Sequence, residues 1–579
     1  MDLLVDLWKT SDGEIRNILA NELLEGPPEE LFSRITPEQR EASRDRRIFD
    51  RIAVLERIED VELTDDLKLK MTDLRNKYPK WQAAPGEQAH FATWFSVGWG
   101  RDSEYSGETL AAMSDAELLE RLVEEPKADD GFLEAWRAFV IKDPDRALDL
   151  LAQLITRSEP GSADIWEYAN WGLRDSSASG SQLNKMLELL VSAPDSLYQK
   201  EEFQRSAADM LEARSGTFFD TSVPTGFWNL FDRVLLALET VPDEQEEAPH
   251  DWVDKALNRP VGRLTTAFIN GLFARKLYVG EGIPADLIDR ADRLMSPGRV
   301  RNRAARVIGA SRISYLNAID PVWTAKVLLP CFDWSEEEES IAAWQGYGWQ
   351  ARLDPQLWSI LKPSFLRLFR RDRLERMEEY GRNIAQTLML AGVVFGHDDL
   401  KREDVRKAIR EMQPSLRHSA AAWVAGYMME DGTDVAAEED EEPFEDTADV
   451  KWRERIAPWL KRAWPEEAAM RAPDIAEEFA LAAIATSDAF PDAVKLVSDF
   501  AIAGRANRII RDLENSSHPD RYPHATLELV DKFVEWDQPQ YLERREKGIL
   551  NRIVAAAPDL ADDNRYRNWV EHLAAQGIA

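Results

Sequence analysis

Residues 251–276 read DWVDKALNRPVGRLTTAFINGLFARK, and residues 280–316 read GEGIPADLIDRADRLMSPGRVRNRAARVIGASRISYL. Helical runs alternate with Pro and Gly at their joints, the rhythm of helix hairpins. The stretch is also arginine-rich inside a chain whose formal net charge is -34. Gly282-Ile283-Pro284 reads as the entry to a helix, and Gly309-Ala310-Ser311 as a helix interior or end.

The same rhythm recurs on both sides. Upstream, Ser11 and Glu14 have capping-box spacing, and Thr36-Pro37-Glu38-Gln39 opens a charged helix through Arg47. Leu63 to Trp81 is another helix, stopped near Pro79. Residues 91–105 are Gly- and aromatic-rich and read as a structured loop. Ser114 and Glu117 cap the next helix. Asp143–Ser158 and Ser162–Asp175 read as an antiparallel pair with Pro160-Gly161 at the joint. Further pairs carry the pattern on to the C-terminal end. No alternating strand pattern or Asn-Gly hairpin signal stands out. Pairs of roughly 30 to 45 residues without strict period are how diverged HEAT- or tetratricopeptide-like repeats read. The expected fold is therefore all-α: an elongated α-solenoid of diverged helix hairpins. Each pair has an apolar stripe that only a neighbour can cover, so the pairs must stack and leave a long concave surface.

Composition agrees with this. The chain has 579 residues, 44% of them hydrophobic and 20 of them Trp, far more than one compact core holds. Residues 430–449, EDGTDVAAEEDEEPFEDTAD, hold 11 acidic residues and almost no large apolar ones, which predicts a mobile acidic loop. The expected organisation is an N-terminal helical region (1–110), a central array (111–429), that loop (430–449) and a C-terminal array (450–579).

The single cysteine, Cys331, allows neither an intrachain disulfide nor a multi-Cys zinc site. The start of the chain has no basic n-region followed by an apolar core, and no stretch approaches the length needed to span a bilayer. The expected location is the cytoplasm, with no membrane contact. With 72 Lys+Arg against 106 Asp+Glu, nucleic acid is repelled by the chain as a whole, so any such contact needs a local basic patch.

Catalytic signatures are missing. There is no Walker loop, dinucleotide fingerprint, nucleophile elbow or H-E-x-x-H. His518 and His524 are the closest histidine pair, in a Pro-containing connector. No cofactor, metal or catalytic residue is expected.

The candidate binding residues are basic and aromatic. Arg299, Arg303 and Arg306 fall at i, i+4 and i+7 on one helix face, with Val300, Ala304 and Val307 on another, and Arg301 and Arg312 add charge. Such a face can hold phosphate, a nucleic-acid backbone or an acidic protein; its plainer use is salt-bridging to the adjacent hairpin. Trp344, Tyr347, Trp349 and Trp358 can stack a ring or anchor a partner; their plainer use is to fill the core. A second basic run, Arg367 to Arg376, reads as an ordinary amphipathic helix.

Several strings are familiar together: NRPVGRLTTAF (258–268), WLKRAWPEEA (459–468), SDAFPDAVKLV (487–497), ATLELVDKFV (525–534) and APDLADDNRYRNW (557–569). They resemble the helical C-terminal region of bacterial antiphage defence proteins of the sirtuin-associated type, over roughly residues 60–579. The resemblance implies a non-catalytic sensor or scaffold that recognises a phage or partner protein and controls an effector. The chain has no sirtuin domain, so the resemblance leaves three expectations open: an effector on another chain, a longer form of this one, or a different way of working. The alternative expectation is a nucleic-acid-binding subunit using the arginine face; an enzyme without a recognisable motif is a third.

Overall fold

The computed structural model describes residues 63–79, 81, 105–124, 131–176, 178–216, 225–240, 250–396, 399–429, 447–504, 506–535 and 543–575, with isolated positions between 16 and 56. The fold is all-α. Among the described residues the one pairing of extended backbone is an isolated parallel bridge between Gly504 and Val534. The expected helices at Ser11–Gly26 and Thr36–Arg47 and the expected loop at 91–105 fall largely outside the described residues.

The chain divides into two compact units, Met1–Leu197 and Tyr198–Ala579. This boundary lies inside the expected central array. In the first unit, α1 (Asp65–Lys77) buries Leu67, Met71 and Leu74 in a core shared with Ile48, Phe49 and Ile52. Two interleaved layers follow. One holds α2 (Gly107–Ala112), α4 (Phe132–Lys142) and α6 (Ala163–Asp175), and the other holds α3 (Asp115–Val123), α5 (Pro144–Thr156) and α7 (Gly180–Ser192). The caps were readable: Ser114 accepts from Glu117 N–H, and Ser114 N–H donates to Glu117 Oε2 at 2.8 Å. The expected pairing of α5 with α6 is not the main contact. α6 packs on α4 of its own layer, where Trp136 Nε1 donates to Ile165 O at 3.0 Å.

The second unit repeats the plan. Nine helices among the described residues form one layer, each packed on the next. They are α8 (Glu201–Ser215), α9 (Pro260–Ala274), α10 (Arg303–Ser311), α11 (Glu337–Trp349), α12 (Gly381–Val394), α13 (Pro414–Met429), α14 (Pro473–Ile484), α15 (Asn507–Asn515) and α16 (Glu543–Ala556). Intervening helices such as Thr225–Thr240, Pro355–Leu368 and Pro523–Phe533 supply the second layer. The acidic segment 430–446 lies outside the described residues, and it does not separate two domains: α13 packs directly on α14 across it. The last residues of the expected loop are ordered. Thr447 caps the following helix, and the Asp449 carboxylate accepts from the backbone N–H groups of Ser487, Asp488 and Ala489 at 2.8, 2.8 and 3.1 Å.

Close approach within a layer is set by small residues. A Cβ on Gly346 of α11 would sit 2.3 Å from Val307 O of α10, so glycine lets the two backbones touch. Gly426 of α13 has open space around it. Both substitutions to Ala raise intrinsic helix propensity, so packing decides the sign. Gly346→Ala is expected to destabilise by about 1–3 kcal/mol, and Gly426→Ala to stabilise by about 0.4–1 kcal/mol, measured by denaturant unfolding of the full chain.

Candidate functional site

The arginine-rich stretch meets an acidic run. Residues 336–339 are four consecutive glutamates at the start of α11, where negative charge is favoured by the helix dipole. Each takes an arginine from a neighbouring hairpin. Arg303 donates through Nε to Glu339 Oε2 at 2.9 Å and through Nη2 to Glu336 Oε1 at 2.6 Å. Arg306 grips Glu339 in a fork, Nε to Oε1 at 2.6 Å and Nη2 to Oε2 at 2.8 Å. From the other side, Arg373 forks onto Glu337 at 2.7 and 2.8 Å, and Arg376 onto Glu338 at 2.8 and 2.9 Å.

The centre of this clasp is dry. Arg306 is 2% exposed, Arg303 6% and Glu339 8%. Burial alone would raise the Glu339 carboxyl; hydrogen bonds and charge from Arg306, then Arg303, outweigh it and hold it below its ordinary value. Burial would likewise lower the Arg306 guanidinium, and Glu339 more than reverses that. Two further Arg306 donors are used: Nη1 reaches Ser296 O at 3.1 Å and Nη2 reaches Arg299 O at 3.2 Å. Trp252 closes one side. Its ring lies 5.0 Å from the Arg303 guanidinium, its Nε1 donates to Glu338 Oε1 at 2.6 Å, and its backbone N–H donates to the buried Gln345 at 2.7 Å.

The residues singled out from sequence fall in different places. Arg303 and Arg306 lie inside, salt-bridged to the next hairpin, and not on an open face. Arg299 is off their helix: a tight turn at Val300–Asn302 precedes α10, and the Arg299 side chain is exposed. Val300, expected to pack, is 46% exposed for the same reason. Arg301 is half-buried and donates to Leu238 O at 2.5 Å. Arg312 ends α10, half-buried, and stands apart from the clasp.

The aromatic candidates are core residues except Trp349, which is half-buried. Trp344 is fully buried against Phe332, Tyr347 and Phe365, with ring centroids 4.8, 5.5 and 5.6 Å away. The Tyr347 hydroxyl donates to Arg352 O at 3.2 Å, and Trp358 Nε1 to Asp399 Oδ2 at 2.8 Å. His518 and His524 do not converge. His518 is buried, stacked on Phe490 at 3.9 Å, with Nε2 2.8 Å from Ile484 O; His524 is exposed and faces Asp559. Cys331 is free and buried, and burial pushes its thiol up to about 12.

Sequence reasoning passed over the glutamate run, Trp252 and Gln345. One signal was present: Arg303 and Arg306, and again Arg373 and Arg376, are spaced i and i+3 on either side of four glutamates. No described helix is long and apolar enough to cross a membrane. The sequence matches no family model, and no curated protein matches it.

Glu339→Gln keeps the shape and leaves two buried guanidinium groups without their shared counter-charge, for an expected loss of about 3–5 kcal/mol. The sign with pH follows from the lowered carboxyl. The advantage of wild type over the variant is full above the ordinary value of 4.5 and shrinks as pH falls through the lower folded value. Denaturant unfolding of both proteins at pH 7 and across the acid range measures it; a gap below about 1 kcal/mol at pH 7 would count against a buried paired charge.

Proposed function

We propose that the chain is a non-catalytic helical-repeat scaffold that recognises a protein partner. The observation that carries this reading is the layered array: in the second unit, helices stack one on the next through nine positions among the described residues. Arrays of this kind present edges and loops from many hairpins side by side and bind through them. The interior ionic chemistry is already matched, with Arg303, Arg306, Arg373 and Arg376 engaged by Glu336–Glu339. The nucleic-acid alternative loses support for the same reason, because two of the arginines it needs are buried and paired.

The setting belongs to the same proposal and rests on the sequence strings quoted above. In it the chain is the sensor of a bacterial antiphage system, recognising a phage or partner protein and controlling an effector on another chain. Expression from the native locus with the neighbouring genes, followed by co-purification and mass spectrometry before and after phage infection, tests it. The expected result is a stable protein partner whose association survives nuclease treatment and changes on infection. A chain that stays alone in both states overturns the reading.

A further inference from the structure

His518 is the one fully buried histidine among the described residues, at 5% exposure. It opens the short helix His518–Arg521 and packs against the turn between α14 and the helix Phe490–Val497. Its ring lies parallel to that of Phe490, 3.9 Å away, and its Nε2 is 2.8 Å from the oxygen of Ile484, the last residue of α14. A carbonyl only accepts, so Nε2 carries the proton of the neutral ring and Nδ1 keeps a lone pair. Nδ1 is buried and has no hydrogen-bond partner among the described residues. The same turn is held at two further points. The Asp449 carboxylate accepts from the backbone N–H groups of Ser487, Asp488 and Ala489. Arg521 Nη2 and the Tyr522 hydroxyl donate to Asp488 Oδ1 at 2.8 and 2.9 Å. The Asp488 contacts are in solvent, where such pairs hold weakly. The dry contact on this turn is the one at His518.

A proton on Nδ1 upsets this arrangement. It places a charged N–H donor where nothing accepts it. The phenyl face of Phe490 attracts a cation, but an unmet charged donor in a dry site outweighs that attraction. The surroundings act in the same direction. Burial, joined by the like charge of Arg521, holds the ring below its ordinary 6.5 against the Ile484 carbonyl, Asp449 and the Thr486 backbone, which favour the charged form. Other charged groups on the elements packed there are engaged elsewhere. On α14, Glu478 takes Arg508 at 2.5 Å; on α15, Glu514 takes Arg545 at 3.3 Å; from α16, Arg552 reaches Asp520 at 3.1 Å. Asp492 and Lys495 of the helix Phe490–Val497 are exposed, as is His524, which faces Asp559 at 3.7 Å.

We propose that His518 is an acid-sensitive latch: the neutral ring closes the turn after α14 onto the helix His518–Arg521, and protonation at Nδ1 opens that turn together with the Asp449 cap it carries. The latch goes beyond the scaffold reading and does not depend on it. Its sign with pH follows from the lowered value of the ring. The closed contact is at full strength above the ordinary 6.5, and it is lost as pH falls from there through the lower folded value.

Amide hydrogen exchange of the full chain, read by mass spectrometry between about pH 7.5 and about pH 5.5, tests the latch once each rate is divided by its intrinsic value at that pH. Peptides covering 447–456, 484–497 and 516–522 are expected to open together, with an opening constant that rises toward about tenfold at one pH unit below the ordinary histidine value. His518→Gln keeps an N–H donor for the Ile484 carbonyl and cannot take up the proton, so these peptides are expected to lose their pH response. His524→Gln, at an exposed histidine, is expected to keep it. A second measurement needs no variant: deuterium uptake at the histidine C2 position of the wild-type chain reads the protonation of His518 directly, and half-titration below 6.5 is expected. Four results each overturn the proposal. They are a change of less than about twofold in the three segments, opening confined to 516–522 with the Asp449 cap intact, an unchanged pH response in His518→Gln, and half-titration of His518 at or above 6.5.

Discussion

A carboxylate held between two buried guanidinium groups is the constraint on which the middle of this protein depends. Glu339 cannot be solvated where it sits, so it is ionised only because Arg306 and Arg303 are beside it. The arginines are tolerated inside only because Glu339, with Glu336 at the edge, answers them. The same four-residue run reaches the other way to Arg373 and Arg376. One helix start therefore fixes the hairpin before it and the hairpin after it. Such an arrangement adds little net stability over an apolar core, but it strongly disfavours any register in which the charges miss one another.

Tryptophan does related work. Trp252, Trp323, Trp334 and Trp358 each bury a ring and send the indole N–H to a polar atom on another hairpin: Glu338, Asp292, Ser364 O and Asp399. A large apolar surface with one polar handle suits a repeat array, because it both fills the space between hairpins and fixes their offset. Of these, Trp358 was a ring-stacking candidate from the sequence, and it is used for packing.

Much of the fold was readable because its determinants are local. The Ser114–Glu117 box, Pro at the first turn of α5, α9 and Pro321–Val327, and Gly161 with positive φ at a joint all mark boundaries within a few residues. What was not readable depends on partners far along the chain. Arg306 and Glu339 are 33 residues apart, and with 106 acidic residues no carboxylate announces itself as the partner. Helical spacing placed Arg299, Arg303 and Arg306 on one face, and the tight turn at Val300–Asn302 separated the first from the others. The acidic stretch after Glu430 was read as a boundary from composition, whereas α13 and α14 pack on each other across it. The burial of His518 had no sequence signal, since an exposed and a buried histidine are written alike.

The central claim is that the arginine-rich stretch is an internal clasp. A double-mutant cycle between Arg306 and Glu339, each replaced by Leu, tests it most directly through unfolding free energies of the full chain. The clasp predicts that each single change is costly and that the pair together costs less than the sum, with a coupling of about 1–3 kcal/mol. Additive losses would contradict the clasp and return both side chains to the surface as independent charges.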